Sequence, residues 1–172
     1  ESGDAVHSPN LERKLTEYNR KYATVITHMS CYAHPPARRL RGVAVRVIGG
    51  ITILCGPKWV HHISSLHEDA LGVGTLCRFN LRTSLGTYLI IPMYWPVPTQ
   101  DETREAALYN IMKAKLATPE FTAFRGTPKD WMRDVSTTWM TAAVMANSIP
   151  IALGDLNASN IGSGQRQRNM GS

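Results

Sequence analysis

The spacing of hydrophobic positions along this chain changes several times, and each change marks an element. Leu11, Leu15 and Tyr18 recur at helical intervals after Ser8-Pro9, a good helix start, and predict a short helix over about residues 9–20. Tyr22 to His28 is rich in β-branched residues and predicts a strand, after which His34-Pro-Pro-Ala-Arg-Arg breaks regular structure as an exposed loop. Gly42 to Ile48 and Ile51 to Cys55 are strand material on either side of Gly49-Gly50, a tight hairpin or a bulge. Val73 to Leu81 and Gly86 to Tyr94 make the next pair, joined by the polar Arg82-Thr-Ser, and are expected to lie antiparallel.

Two amphipathic helices come next. Thr99 and Glu102 have the spacing of a capping box, and Leu108, Ile111, Met112 and Leu116 keep helical register until Pro119. Thr127-Pro128 opens the second helix, whose Trp131, Val135, Trp139 and Ala142 share one face and read as core more than as a ligand platform. It ends near Asn147, before a last strand in Ile149-Pro-Ile-Ala-Leu-Gly-Asp-Leu-Asn157. Beyond that strand only Ile161 and Met170 are apolar, so residues 158–172 are expected to form a flexible polar tail. The whole pattern is α/β, with one domain over residues 1–157.

Composition narrows the picture. With 43% hydrophobic residues and four tryptophans spread along 172 positions, wholesale disorder is excluded and one packed core is expected. No apolar run reaches the length of a membrane span, and Glu-Ser-Gly-Asp at the start does not resemble a signal peptide. Cys31, Cys55 and Cys77 are odd in number and widely separated, which argues against a disulfide framework and for a reducing, intracellular setting. His61, His62 and His67 do not match usual zinc-ligand spacings.

Charge adds a candidate partner. The formal charge is +6, and between Tyr18 and His67 there are seven lysines and arginines but no carboxylate. Arg38, Arg39 and Arg41 are the densest part of this block and suit a polyanion, through phosphate neutralisation and counterion release. The alternative is a solvated basic face that serves solubility.

The last strand carries candidate chemistry. In extended backbone Asp155 and Asn157 point to one side and Leu156 to the other, so a water or a metal can meet both polar groups. The carboxylate accepts hydrogen bonds or binds a cation, and the amide can donate to a phosphate oxygen. Gly154 lets a ligand or a neighbouring backbone come close. The alternative is that both side chains cap a turn after the strand.

Three blocks in order resemble the endonuclease/exonuclease/phosphatase superfamily, and within it the endonuclease domain of non-LTR retrotransposons. Gly49-Gly-Ile-Thr-Ile-Leu is similar to that family's Gly-Gly-Val-Ala-Ile-Leu, Met93-Tyr-Trp-Pro to its Val-Tyr-Ala-Pro, and Gly154-Asp-Leu-Asn-Ala to its Gly-Asp-Phe-Asn-Ala. Together they span roughly residues 40 to 158. The resemblance implies a magnesium-dependent phosphodiesterase that nicks DNA. Asp155 would orient or activate the attacking water, Asn157 would donate to the scissile phosphate, and Tyr94 would sit beside its non-bridging oxygens. For Tyr94 the alternative is a strand-end aromatic whose hydroxyl faces solvent. Glu1 stands in Glu-Ser-Gly-Asp, which looks like part of the family's Gln-Glu-Thr or Gln-Glu-Ser motif, and would then be a metal ligand.

The family's upstream Asn and downstream Ser-Asp-His do not occur in this sequence, and no histidine follows His67. The expected enzyme is therefore incomplete in this chain. A reading from another class is a catalytically inactive module that keeps the fold and the basic surface for binding nucleic acid or a partner. Hydrolysis of a small phosphoester, such as an inositol phosphate, ranks behind both because a basic block suits a long polyanion better. The implied fold is part of an α/β/β/α sandwich, mostly antiparallel, with flanking helices. One apolar sheet face would be left uncovered, and burial worth about 25 cal/mol per Å² favours a homo-oligomer or a partner chain over it. A DNA-acting protein is expected inside the cell, in the nucleus of a eukaryote.

Overall fold

The structure, a computed structural model, describes residues 9–31, 50–97 and 108–156. The expected loop at His34, the Gly42 to Ile48 strand, the Thr99 to Glu102 capping box and the polar tail lie outside the described residues.

Helix α1 runs over Pro9–Tyr22 and half-buries Leu11 and Leu15, while Tyr18 and Tyr22 stay exposed with their rings 4.6 Å apart. It continues two residues past the expected end, and the following strand begins correspondingly later. The reason is local. Asn19 uses both ends of its amide on Ile26, accepting from the backbone N–H at 2.8 Å and donating to the carbonyl at 3.0 Å. With Ala23 at a φ of 46°, this closes a turn where β-branched composition predicted extended chain. Strand β1 is Thr27–Cys31, and it pairs antiparallel with β2, Ile51–Cys55.

A second sheet has the order β3-β4-β5-β6, with β3 at His67–Glu68, β4 at Cys77–Thr83, β5 at Gly86–Tyr94 and β6 at Ile149–Asp155. The β4–β5 hairpin is antiparallel as expected, turning at Thr83 to Gly86. The crossover from β5 to β6 passes through α2, Leu108–Leu116, and α3, Pro128–Met145, and brings β6 in parallel to β5. The fold is α/β, with antiparallel pairs outnumbering the parallel one among the described strands.

Alternation along β5 sets the layers. Leu89, Ile91 and Met93 face the helices and join Leu108, Met112, Leu116, Met132 and Ala143 in one core. Ile90 and Pro92 point the other way and are buried as well, and β2 lies against β5. On α3 the hydrophobic core residues are Met132 and Ala143, whereas of the expected face Trp131, Val135 and Trp139 are half-buried at the edge of that core and Ala142 is exposed. The start of α3 is fixed by a reciprocal cap. The Thr127 hydroxyl accepts from the Asp130 N–H at 3.2 Å, and the Asp130 carboxylate accepts from the Thr127 N–H at 2.9 Å. That second bond, ahead of the nearby Arg133 charge, holds the Asp130 carboxyl below its ordinary range.

The β6 strand is an edge. Its helix-facing positions Pro150, Ala152 and Gly154 are small, and Pro150 is tolerated because one side of an edge strand needs no ladder partner. Its other face carries Ile149, Ile151 and Leu153 at 53%, 39% and 49% exposure. An apolar run predicts burial on both faces, so this stripe is a real departure from ordinary strand burial. The uncovered apolar sheet face expected from the sequence is met on this strand alone, because Ile90 and Pro92 on the same face of β5 are buried. No helix among the described residues is long and apolar enough to cross a membrane.

Candidate functional site

Parallel pairing of β5 with β6 places Tyr94 directly beside Asp155 at the carboxyl ends of the two strands. Register partners in a sheet point to the same face, so the phenol and the carboxylate leave the sheet together on the side away from α2 and α3. Both are exposed, Tyr94 at 38%. The Trp95 N–H donates to the Asp155 carbonyl at 2.8 Å, which extends the parallel ladder one residue beyond the pair.

Gly154 makes that ladder possible. Its φ is +145°, and a Cβ there would run into the Met93 carbonyl oxygen of β5. The close approach anticipated for this glycine is thus an approach by neighbouring backbone.

On its other side Tyr94 is held by a buried loop. Its N–H donates to the Thr75 carbonyl at 2.8 Å, and Leu76 bridges to Met93. The loop is pinned from two helices. Lys115 of α2 donates to the Leu71 carbonyl at 2.9 Å, and the Trp131 indole N–H of α3 donates to Asp69 at 2.8 Å. Asp69 also accepts from the Leu71 N–H at 3.3 Å, but its Oδ1 is buried with no hydrogen-bond partner. Burial holds the Asp69 carboxyl above its ordinary value, against the Trp131 and backbone donors that pull it down. Sequence reading missed Asp69. Its neighbour Glu68 and the exposed setting of His67 disguise it as part of a polar loop, and only the distant Trp131 reveals its role.

Of the residues singled out from sequence, the structure brings Asp155 and Tyr94 together. Asn157, Glu1, Arg38, Arg39 and Arg41 lie outside the described residues. His61 and His62 sit on an exposed 3-10 turn and His67 on β3. Among the described residues no three His, Cys, Asp or Glu side chains converge as a metal cage. Cys55 and Cys77 are buried, the Cys55 thiol donating to the Gly56 carbonyl at 3.5 Å and the Cys77 thiol to the Pro92 carbonyl at 4.0 Å.

Compared with protein-family models, curated proteins and solved structures, the chain matches none.

Proposed function

We infer that the Tyr94–Asp155 end of the sheet is a phosphodiester-hydrolysing site acting on DNA, as an endonuclease of retrotransposon type. The observation that carries this reading is the direct register of Tyr94 on Asp155 at the carboxyl ends of two parallel strands, where ligands of open α/β sheets bind. The Asp155 carboxylate can position a water by accepting its proton in a hydrogen bond, and the Tyr94 hydroxyl can donate to a phosphoryl oxygen. Asn157 lies outside the described residues, and its role as a second donor rests on the family resemblance alone.

Magnesium is the cation that this chemistry asks for. It accepts oxygen donors, usually through one or two carboxylates, and keeps several waters. Asp155 offers carboxylate oxygens of the kind that magnesium takes. Asp155 would hold the ion, with Glu1 assigned to it by the family resemblance alone. When bound, the cation offsets charge on the phosphoryl oxygens.

Nicking of supercoiled plasmid in magnesium tests this. The protein is expected to nick, and Asp155→Ala to lower the rate by at least about 100-fold, the range of a lost acid–base group. Equal and negligible nicking by both proteins rejects catalysis. A second reading, an inactive binding module, is favoured by the apolar stripe of Ile149, Ile151 and Leu153 that runs up to Asp155 on the same face. Retained DNA binding without nicking would select it.

The same stripe supports the proposal of a homo-oligomer or a partner chain. Light scattering after size exclusion is expected to give the mass of two chains, and a well-folded monomer at micromolar concentration counts against self-association.

A further inference from the structure

At the opposite end of the sheet, and on its other face, β4 and the last turns of α3 line an open recess of ≈ 330 Å³. Strand alternation builds its floor. Arg78, Asn80 and Arg82 share the face of β4 that looks towards α3, because Asn80 pairs with the core residue Leu89 and Arg82 with Thr87. His67 of β3 pairs directly with Arg78 and lines the same space. Small side chains make the room. Ala142, Ala143 and Ala146 form the helix wall, and Trp139 closes one end with the Arg78 guanidinium 4.9 Å from its ring centroid.

Among the described residues the ion pairs involve other side chains, and neither Arg78 nor Arg82 has a carboxylate partner. Cations placed on one sheet face without an anion repel. A protein face arranged in this way is stabilised by an anionic ligand.

We propose that the recess binds a small organic phosphomonoester, with its phosphoryl group over Asn80 between Arg78 and Arg82. Donor count selects phosphate over carboxylate. Two guanidinium forks, the Asn80 amide and the Thr87 and Ser148 hydroxyls offer more donors than two carboxylate oxygens can accept, whereas a phosphomonoester presents three acceptor oxygens and up to two charges. Volume selects an organic ester over the free ion. The space is at the lower end of small-molecule sites and about ten times a water's share of the liquid, so inorganic phosphate alone would leave the Leu89 and alanine wall uncovered. This site shares no residue with Tyr94 and Asp155, so it stands whether or not the sheet's other end is catalytic.

Calorimetric titration of the full chain decides the matter, with adenosine monophosphate, inorganic phosphate and an unphosphorylated thymidine octanucleotide as probes. The monophosphate is expected to bind with a Kd below about 1 mM, several-fold tighter than phosphate. Arg78→Gln and Arg82→Gln should each weaken it about tenfold, as loss of a charge-assisted hydrogen bond does. Because Arg78→Gln also removes the contact to Trp139, Ala142→Phe provides a second check. It fills the recess from the helix side, keeps both arginines and should abolish binding without loss of helical circular dichroism. No binding, or binding indifferent to all three variants, overturns the site. Equal affinity for phosphate and the monophosphate overturns the ester. Octanucleotide binding of the same strength and variant dependence reassigns the recess to a nucleic-acid backbone and overturns the small-molecule proposal.

Discussion

Gly154→Ala is expected to lower the melting temperature by about 6–12 °C, the shift that about 3 kcal/mol produces in a chain of this size. Two costs combine. At a φ of +145° any side chain is strained, by about 1–3 kcal/mol. The new methyl would also collide with the Met93 carbonyl, so β5 and β6 must part at this point and surrender ladder hydrogen bonds worth about 1 kcal/mol each. Gly86→Ala separates these costs. Gly86 has a φ of +141° with nothing near its missing Cβ, so its alanine variant carries the strain alone. The Gly154 variant should therefore be the less stable of the two, by thermal melts under the same conditions. Equal melting temperatures would mean that the β5–β6 backbones do not approach as described. The consequence extends to the site, because separating the strand ends moves Asp155 away from Tyr94. Nicking by Gly154→Ala is expected to fall towards that of Asp155→Ala even where the variant remains folded.

What was legible in the sequence follows the range of the interactions concerned. The β4–β5 hairpin and α3 are set by periodicity and by turn or helix-start residues within a few positions; β4 begins at Cys77 where Val73 was expected, α3 keeps close to its expected limits, α2 ends at Leu116 as expected, and its expected start lies outside the described residues. The strand after α1 was misplaced because two hydrogen bonds from Asn19 to Ile26 outweigh the β-preference of the residues between them. Gly154 could be read as a point of close approach, but not as an approach by Met93. That needs the parallel pairing of β5 and β6, whose partners lie on opposite sides of two helices in the chain. The same holds for the recess. Arg78, Asn80 and Arg82 alternate visibly within a strand, yet only the alanines of α3, brought over them by the crossover, turn an alternating polar row into an open recess.

Trp131→Phe is expected to destabilise the protein by about 2–4 kcal/mol at neutral pH, from a lost hydrogen bond to the buried Asp69 carboxyl together with some lost ring contact. The Trp131 ring packs edge-on against Phe121 and Phe124, each 5.2 Å away, so phenylalanine keeps much of this aromatic cluster but cannot donate to Asp69. Asp69, at 5% exposure, would then retain only backbone donors. The pH dependence gives the mechanism a sign. Burial raises the Asp69 carboxyl above its unfolded value of 3.8, so its contribution to stability is fully present below that value and is lost as pH rises through the raised one. Removing the indole takes away the largest influence that lowers it, which pushes the carboxyl higher and widens that window. The deficit of Trp131→Phe against the parent should accordingly be greatest near pH 7 and shrink as the pH approaches 4. Asp69→Asn, which keeps an acceptor for the indole and cannot ionise, should lose this slope. Urea melts of the three proteins at pH 7 and pH 4.5 provide the comparison, and a Trp131→Phe deficit that is constant between them would show that the indole supports packing alone. Because Asp69 anchors the loop whose Thr75 carbonyl holds the Tyr94 backbone, the same variant is expected to loosen Tyr94, visible as faster exchange of the Tyr94 amide hydrogen at pH 7.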